Sequence, residues 1–376
     1  MVCMERWQKK QIVEDLQKKM VFVVGPRQSG KTWLAKNIMA QFNNPAYLNY
    51  DSRTDRKVLE QQSWINESDL LIFDEIHKMP DWKNYIKGVF DTKEPYQSIM
   101  VTGSARLDLL KQAGDSLAGR VFTHHLFPLS PAELFKQNLD YKLEHFLERS
   151  GFPEPYLAKT NVDSARWRRE YIENLLSIDI FDIGNIQDVR HLRLVFELLR
   201  ERVGSPISFH SIARDISISH NTVKKYIQIL EALYVVFRIT PYAKNIARSL
   251  IKEPKIYFFD NCLVNGDDGA KFENFVASCF YKHVITKTDY FGEEWKLHYL
   301  RTKDGKEVDF ALIKADQIEQ AIEVKLSDKE LAKSLVWFHE RFNIPSVQIV
   351  KNLKTEYQKG TISVLKANEY LKKLFL

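Results

Sequence analysis

The chain has 376 residues, of which 44% are hydrophobic, 12% aromatic and 28% charged, and it carries a formal net charge of +6. This composition excludes a mainly disordered chain and is typical of a folded protein with about two or three domains. No apolar run approaches the length of a membrane span, the N-terminus lacks the apolar core of a signal peptide, and the three cysteines provide no disulfide framework. We therefore expect a cytoplasmic protein that is not bound to a membrane.

Short apolar runs alternate with helical stretches up to about residue 130. This alternation predicts an α/β fold, with a parallel sheet and helices on both of its faces. We assign residues 1–130 to this first domain. The predicted strands are MVFVV (20–24), AYLNY (46–50), LLIFD (70–74) and SIMVTG (98–103).

A phosphate-binding loop follows the first of these strands. Its spacing, G-x-x-x-x-G-K-[ST], lets backbone N–H groups point at phosphate oxygens and places a helix N-terminus beside them. Lys31 is expected to reach the β- and γ-phosphates, and the Thr32 hydroxyl to bind Mg²⁺. A chance match in an unrelated loop is disfavoured by the strand before it and the helix after it. The predicted nucleotide contacts in the loop of this P-loop NTPase domain are Gly25, Pro26, Arg27, Gln28, Ser29, Gly30, Lys31 and Thr32.

Polar residues at the ends of two further strands complete the predicted site. Asp74 is expected to hold the Mg²⁺ that accompanies ATP, and Glu75 to polarise the attacking water. Thr102 and Ser104, at the tip of another buried strand, suit a sensor of the γ-phosphate, although hydroxyls that only satisfy a loop are an equal alternative. Arg120 follows a flexible glycine and is a candidate to stabilise transition-state charge, in cis or from a neighbouring subunit. A surface arginine is its simpler interpretation.

Several stretches, in their order along the chain, carry a resemblance to a known family. They include GPRQSGKT, LLIFDEIHKMPDW, VTGSAR, SLAGRVFTHHLFPLSPAELF, SGFPEPYL, KEPKIYFFDNCL and LHYLRTKDGKEVDF. Together they resemble a family of prokaryotic AAA-superfamily ATPases whose C-terminal half is a domain of unknown function with a restriction-endonuclease-like (PD-(D/E)XK) core. The resemblance covers nearly the whole chain and implies an ATP-binding protein.

The middle of the chain, residues 131–250, is predicted to be a helical linker followed by a winged-helix unit. Residues 208–239 contain two helices with a tight turn between them and then a strand. Val223, Ile227, Leu230 and Leu233 form an apolar face on the second helix, which Ser219 is placed to cap. DNA contact through the other face and a role as a lid or protein contact are equal alternatives. The candidate DNA-contacting residues are His220, Asn221, Lys224 and Lys225.

Residues 251–376 are predicted to form a restriction-endonuclease-like α/β domain. Asp309 and the pair Glu323 and Lys325 lie on two neighbouring strands, and Glu273 lies on a helix that could pack across the sheet. Together with the resemblance, they form a candidate nuclease site in which Asp309 and Glu323 would hold Mg²⁺ and Lys325 would orient or deprotonate water. The alternative is a cross-strand ion pair on a sheet face.

Three functions are consistent with these motifs. The first is an ATP-hydrolysing, DNA-associated protein in which nucleotide state controls a C-terminal nuclease-like domain. The second is a regulatory or scaffolding ATPase whose inactive C-terminal domain binds a protein partner. A homo-oligomer is compatible with either function. The third is a small-molecule phosphotransferase, which the long C-terminal half with its own carboxylates argues against.

Overall fold

The computed structural model describes residues 4–64, 67–103, 117–176, 189–243, 253–327 and 330–376. The chain divides into two compact units, Met1–Phe127 and Pro128–Leu376. None of the helices within the described ranges combines the length and the apolar character that a membrane span requires.

The N-terminal unit is built on a parallel sheet. Its helices are α1 (Lys9–Leu16), α2 (Lys31–Met39), α3 (Arg53–Gln61) and α4 (Trp82–Thr92). Its strands are β1 (Met20–Val24), β2 (Pro45–Asn49), β3 (Leu70–Asp74), β4 (Ser98–Gly103) and β5 (Val121–His125). The strand order is β2-β3-β4-β1-β5, and each neighbouring pair is parallel. The four predicted strands are confirmed, and β5 is an additional strand.

Helices cover both faces of this sheet because the strands are apolar on both sides. On one face, Phe22 and Val24 of β1 belong to a cluster that includes Trp82 and Ile86 of α4. Alternate residues of the same strand enter a second cluster on the other face, which contains Ile12 of α1 and residues of α2. The period-2 alternation of side chains along a strand produces this division. The central strands β1, β3 and β4 are therefore fully buried, and their polar side chains lie at the strand ends.

The C-terminal unit combines a helical part with a mixed sheet. Its helices are α5 (Pro131–Lys136), α6 (Leu143–Arg149), α7 (Pro153–Tyr156), α8 (Asn161–Asn174), α9 (Val189–Arg200), α10 (Phe209–Asp215), α11 (His220–Ala232), α12 (Asp268–Phe291), α13 (Lys333–Phe342) and α14 (Ala367–Leu371). Its strands are β6 (Val236–Ile239), β7 (Lys255–Phe258), β8 (Trp295–Arg301), β9 (Glu307–Lys314), β10 (Gln317–Ser327), β11 (Ser346–Asn352), β12 (Tyr357–Lys359) and β13 (Ile362–Lys366).

The predicted pair of helices followed by a strand is present as α10, α11 and β6. The Ser219 hydroxyl caps α11 by accepting a hydrogen bond from the Thr222 N–H at 3.0 Å. β7 pairs antiparallel with β6. This pairing crosses the boundary predicted near residue 250, and the predicted middle and C-terminal segments accordingly lie in one compact unit.

A six-stranded mixed sheet of order β12-β13-β11-β10-β9-β8 forms the rest of the unit. β8, β9 and β10 are antiparallel neighbours, and β11 runs parallel to β10 after the helix α13. The 24-residue helix α12 precedes β8 and contacts β8, β9 and β10. The predicted α/β character of this region is confirmed.

Candidate functional site

The phosphate loop connects β1 to α2 through two glycines with positive φ. Gly25 has φ of +147°, and a Cβ atom on it would lie 2.4 Å from the carbonyl oxygen of Leu126. Gly30 precedes α2 with φ of +95°. Both positions need glycine, the first for space and backbone conformation and the second for conformation. The loop between them, which includes Gln28 at φ of +58°, follows the sequence prediction.

Lys31 lies inside the loop. Its ammonium group donates to the carbonyl oxygens of Gly25 at 2.9 Å and Pro26 at 2.7 Å. Burial lowers the pKa of Lys31 to about 8, although the charges of Glu75 and Asp74 act in the opposite direction and Arg27 adds to the lowering. The lysine is thus held next to the backbone that would face the phosphates.

The Asp74 side chain accepts hydrogen bonds from the phosphate loop and from the two strands that flank β3. Its carboxylate accepts hydrogen bonds from Thr102 at 2.5 Å and from Thr32 at 3.3 Å. It also accepts one from the hydroxyl of Tyr47. Thr32 and Asp74 supply the hydroxyl and carboxylate oxygens that Mg²⁺ prefers, so the donor set fits the predicted metal.

Glu75 follows Asp74 in the left-handed conformation, with φ of +54°. Its backbone N–H donates to the carbonyl of Thr102 at 3.0 Å, which fixes the turn beside β4. Burial, reinforced by the charge of Asp74, raises the pKa of Glu75. The buried Oε2 atom has no hydrogen-bond partner and lies 3.5 Å from Nε2 of His77. This carboxylate is therefore the candidate proton acceptor of the site.

Two residues of this site were not predicted from the sequence. Tyr47, on β2, contacts Asp74 at the end of the neighbouring strand β3. Arg6 is buried and donates to the carbonyl of Ser29 at 2.7 Å and to the carbonyl of Phe127 at 2.7 Å. Arg6 therefore links the phosphate loop at Ser29 to the segment that follows β5. A buried arginine in an N-terminal segment of mixed polarity gives no sequence signal.

Arg120 lies away from the phosphate loop of its own chain. It immediately precedes β5, and its carbonyl accepts a hydrogen bond from Met20 at the start of β1. The phosphate loop follows the opposite end of β1, so the length of the strand separates them. Arg120 instead pairs with Asp91 at 2.9 Å. The role in cis predicted for Arg120 is corrected accordingly, while Ser104 lies outside the described residues.

In the C-terminal unit, α11 exposes the face predicted to be polar. Asn221, Lys224 and Lys225 are exposed, and His220 is partly exposed and stacks on His210 with ring centroids 4.5 Å apart. The opposite face is buried against the unit, as the spacing of its apolar residues predicts. The helix therefore presents two lysines and polar side chains to solvent.

The four residues of the predicted nuclease-like site interact with one another. Asp309 accepts a hydrogen bond from the backbone N–H of Val324 at 2.9 Å, and Lys325 donates to Glu323 at 2.6 Å. Burial, followed by the charge of Asp309, raises the pKa of both Glu273 and Glu323 to about 7. The carboxylates of Glu273, Asp309 and Glu323 are therefore close enough to repel one another. Together with Glu307, which lies on the same strand as Asp309, they form what we call the acidic cluster: Glu273, Glu307, Asp309 and Glu323.

Three members of this neighbourhood were not predicted from the sequence: Lys255, Tyr257 and Glu307. Lys255 of β7 is 1% exposed and lies 2.8 Å from Glu307, 3.7 Å from Glu273 and 4.0 Å from Asp309. Tyr257, on the same face of β7, donates to Glu273 at 2.7 Å. Burial acts to lower the pKa of Lys255, but the surrounding carboxylates outweigh it and the net direction is upward.

The carboxylates of the acidic cluster are contacted by other groups of the same unit. Across the described ranges, no three His, Cys, Asp or Glu side chains are placed to hold a metal ion together. Asp309 is engaged by Val324 and Lys255, and one oxygen of Glu323 is engaged by Lys325. Lysines thus contact the two carboxylates, Asp309 and Glu323, that were predicted to hold Mg²⁺. That role stays a prediction.

Comparison with known families divides the chain into three matches. Residues 17–135 match the family model described as "AAA domain". The N-terminal unit is thus similar to AAA domains. Residues 140–270 match "Domain of unknown function (DUF8612)", and residues 268–370 match "Domain of unknown function (DUF4143)". The other two matches assign no activity to the C-terminal unit.

Similar proteins occur in bacteria. Uncharacterised proteins of Mycobacterium tuberculosis and Mycobacterium bovis are each 27% identical over 306 residues, which is 77% of this chain and 66% of the relative. The chain thus spans just under two thirds of these relatives. An uncharacterised protein of Haemophilus influenzae is 24% identical over 332 residues, covering 79% of this chain and 80% of that protein.

Among solved structures, the Walker-type ATPase of Pyrococcus abyssi aligns with a TM-score of 0.45 and 13% identity, covering 68% of this chain and 93% of that chain. A RuvB variant of Thermotoga maritima aligns with a TM-score of 0.32 and 16% identity, covering 61% of this chain and 87% of that chain.

Proposed function

We propose that the protein binds ATP with Mg²⁺ at the phosphate loop and hydrolyses it. The observation that carries this proposal is the convergence on Asp74 of Thr32 from the loop and Thr102 from β4. A carboxylate held by hydroxyls from the phosphate loop and the adjacent strand is the arrangement that an ATPase needs for its metal.

Each side chain has a defined task in this proposal. Lys31 exchanges the loop carbonyls for phosphate oxygens, and Thr32 and Asp74 hold the metal. Mg²⁺ held by these two residues would supply positive charge to offset the charge that develops on the phosphates. Glu75 orients the attacking water and accepts its proton, for which a raised pKa suits it. Thr102 keeps Asp74 oriented and lies at the strand tip.

Phosphate release from ATP tests the assignment. Lys31→Ala is expected to abolish hydrolysis, whereas Lys57→Ala, which removes an exposed lysine of α3, serves as the matched control and leaves it unchanged. Unchanged phosphate release from a folded Lys31→Ala variant would refute the proposal.

We further propose that the C-terminal unit associates with DNA through α11 and that nucleotide state controls this association. The exposed Lys224 and Lys225 on a helix that follows a tight turn, with β6 and β7 after it, support a winged-helix interpretation. The helix α12, the three antiparallel strands and the parallel β11 support a nuclease-like core.

DNA binding is measured by fluorescence anisotropy of a labelled duplex over a series of salt concentrations. The double variant Lys224→Ala/Lys225→Ala is expected to weaken binding and to reduce the salt slope by about one to two. Lys142→Ala/Lys159→Ala removes the same charge from exposed positions elsewhere in the unit and is the control. Equal losses in both variants, or no binding by the wild type, would contradict DNA association through α11.

A second candidate is a regulatory ATPase whose C-terminal unit binds a protein partner and cleaves nothing. The position of Lys255 among the carboxylates of the acidic cluster favours it. Absence of DNA binding together with active ATP hydrolysis would select this candidate.

A further inference from the structure

We propose that Lys255 is the built-in cation of the acidic cluster, so that the cluster binds no divalent metal. The C-terminal unit would then be a binding module rather than a metal-dependent nuclease. This inference concerns the nuclease-like interpretation above and does not depend on ATP hydrolysis by the N-terminal unit.

The position of the ammonium group is the first observation. Its nitrogen lies between three carboxylates on two elements, at 2.8 Å from Glu307 and 4.0 Å from Asp309 on β9 and at 3.7 Å from Glu273 on α12. A single cation that contacts several carboxylates occupies the place in which a metal ion would have to bind. A buried ammonium is stable only when it is paired in this way.

Other hydrogen-bond donors also contact the carboxylates of the cluster. Glu307 is also bound by Arg301 at 3.1 Å, and the second oxygen of Asp309 is bound by the backbone N–H of Val324. Tyr257 donates to Glu273, and Lys325 donates to Glu323. Every carboxylate of the cluster is therefore engaged by at least one donor, and two oxygens, on Glu273 and Glu323, are left as metal ligands. A divalent metal that gathered more of these oxygens would have to displace the Lys255 ammonium from Glu307, Glu273 and Asp309.

Lys255 is also fixed by its backbone. It is the first residue of β7, where it pairs with Ile239 of β6, and it forms a further bridge with Pro206 on the other side. Withdrawal of its side chain would leave an unpaired ammonium among buried residues or break these strand contacts. The cation is thus part of the fold and not a mobile occupant of the site.

The test is the number of Mn²⁺ ions that the full chain binds without nucleotide. Electron paramagnetic resonance of the free Mn²⁺ measures this number. Any metal held at the phosphate loop is common to all variants, so the comparison isolates the acidic cluster. Wild type and Glu323→Gln are expected to bind the same number of Mn²⁺ ions. Loss of one bound Mn²⁺ in Glu323→Gln would overturn the proposal.

Lys255→Met provides the converse test. Removal of the ammonium is expected to create one additional Mn²⁺ site, which the double variant Lys255→Met/Glu323→Gln loses again. A folded Lys255→Met protein with no additional site would overturn the claim that Lys255 keeps the metal out. If Lys255→Met does not fold, the comparison of wild type with Glu323→Gln decides alone. Nicking of supercoiled DNA in Mn²⁺ is expected to be the same for wild type and Asp309→Asn.

Discussion

The hydroxyl of Tyr47 donates a hydrogen bond to the carboxylate of Asp74. Tyr47 lies on β2 and Asp74 ends the adjacent β3, so the contact links the edge strand of the sheet to the proposed metal site. Together with Thr32 and Thr102, the phenol leaves Asp74 a restricted range of orientations. Residues that orient a metal ligand contribute substantially to metal affinity and activity.

Tyr47→Phe is therefore expected to impair Mg²⁺ use rather than folding. The Mg²⁺ concentration that supports half-maximal ATP hydrolysis should rise about tenfold, because Asp74 loses one of its three donors. Tyr85→Phe is the control, since it removes a hydroxyl hydrogen bond to the carbonyl of Leu59 in the same unit. An equal response to Mg²⁺ in the two variants would show that Tyr47 does not position Asp74.

ATP affinity is expected to fall as the pH rises through about 8. The pKa of Lys31 is lowered to about 8 by burial, so the side chain is charged below that pH and loses its proton above it. Phosphates bind the charged form, and ATP binding should therefore be accompanied by proton uptake in alkaline buffer. Calorimetric Kd values between pH 7 and pH 9 test this expectation. A constant Kd across that range would contradict it.

The C-terminal unit should lose stability as the pH rises from 4.5 to 7. Glu273 and Glu323 have pKa values raised to about 7, so over this window the folded state binds more protons than the unfolded state. Stability from these groups is present at acidic pH and is lost as pH passes through 7. Glu323→Gln, which needs no proton, should reduce this pH dependence in urea unfolding. An unchanged dependence would assign it to other groups.

A buried ion pair in the C-terminal unit predicts a large stability effect. Lys282 of α12 contacts Glu133 of α5 and donates to the carbonyl of Pro128 at 3.0 Å. Lys282→Met is expected to destabilise the unit by about 3–5 kcal/mol, because it removes the buried cation that pairs with the Glu133 carboxylate. The double variant Lys282→Met/Glu133→Gln should recover much of the loss in urea unfolding. Equal destabilisation in the single and double variants would show that the ion pair is not the cause.

Much of the nucleotide site follows from sequence because its parts are local. The loop spacing places Lys31 and Thr32, and a strand that ends in Asp74 places that carboxylate at the same sheet edge. The contact from Tyr47 was not predictable, because it depends on which strand lies beside β3. Arg120 was misplaced because the half-polar stretch that follows it was not recognised as a strand.

In the acidic cluster, too, the contacts between strands that are neighbours in sequence were predictable and the contact from a distant strand was not. Antiparallel pairing of β9 and β10, which carries Phe310 beside Ile322, brings Asp309 and Glu323 together as the strand pattern predicts. Lys255 enters from a strand more than fifty residues earlier in the chain, and no local pattern connects it with Asp309. Its role depends on tertiary packing, which periodicity does not encode.

The central claim is that Asp74, Glu75 and the phosphate loop form an ATP-hydrolysing site. Glu75→Gln tests it most directly, because the amide keeps the size of the side chain but cannot accept a proton. We predict that the variant retains ATP binding within about twofold in calorimetry, while single-turnover phosphate release falls at least a hundredfold, on the order of the contribution of a positioned general base. Phosphate release at the wild-type rate from a Glu75→Gln protein that binds ATP normally would contradict the claim.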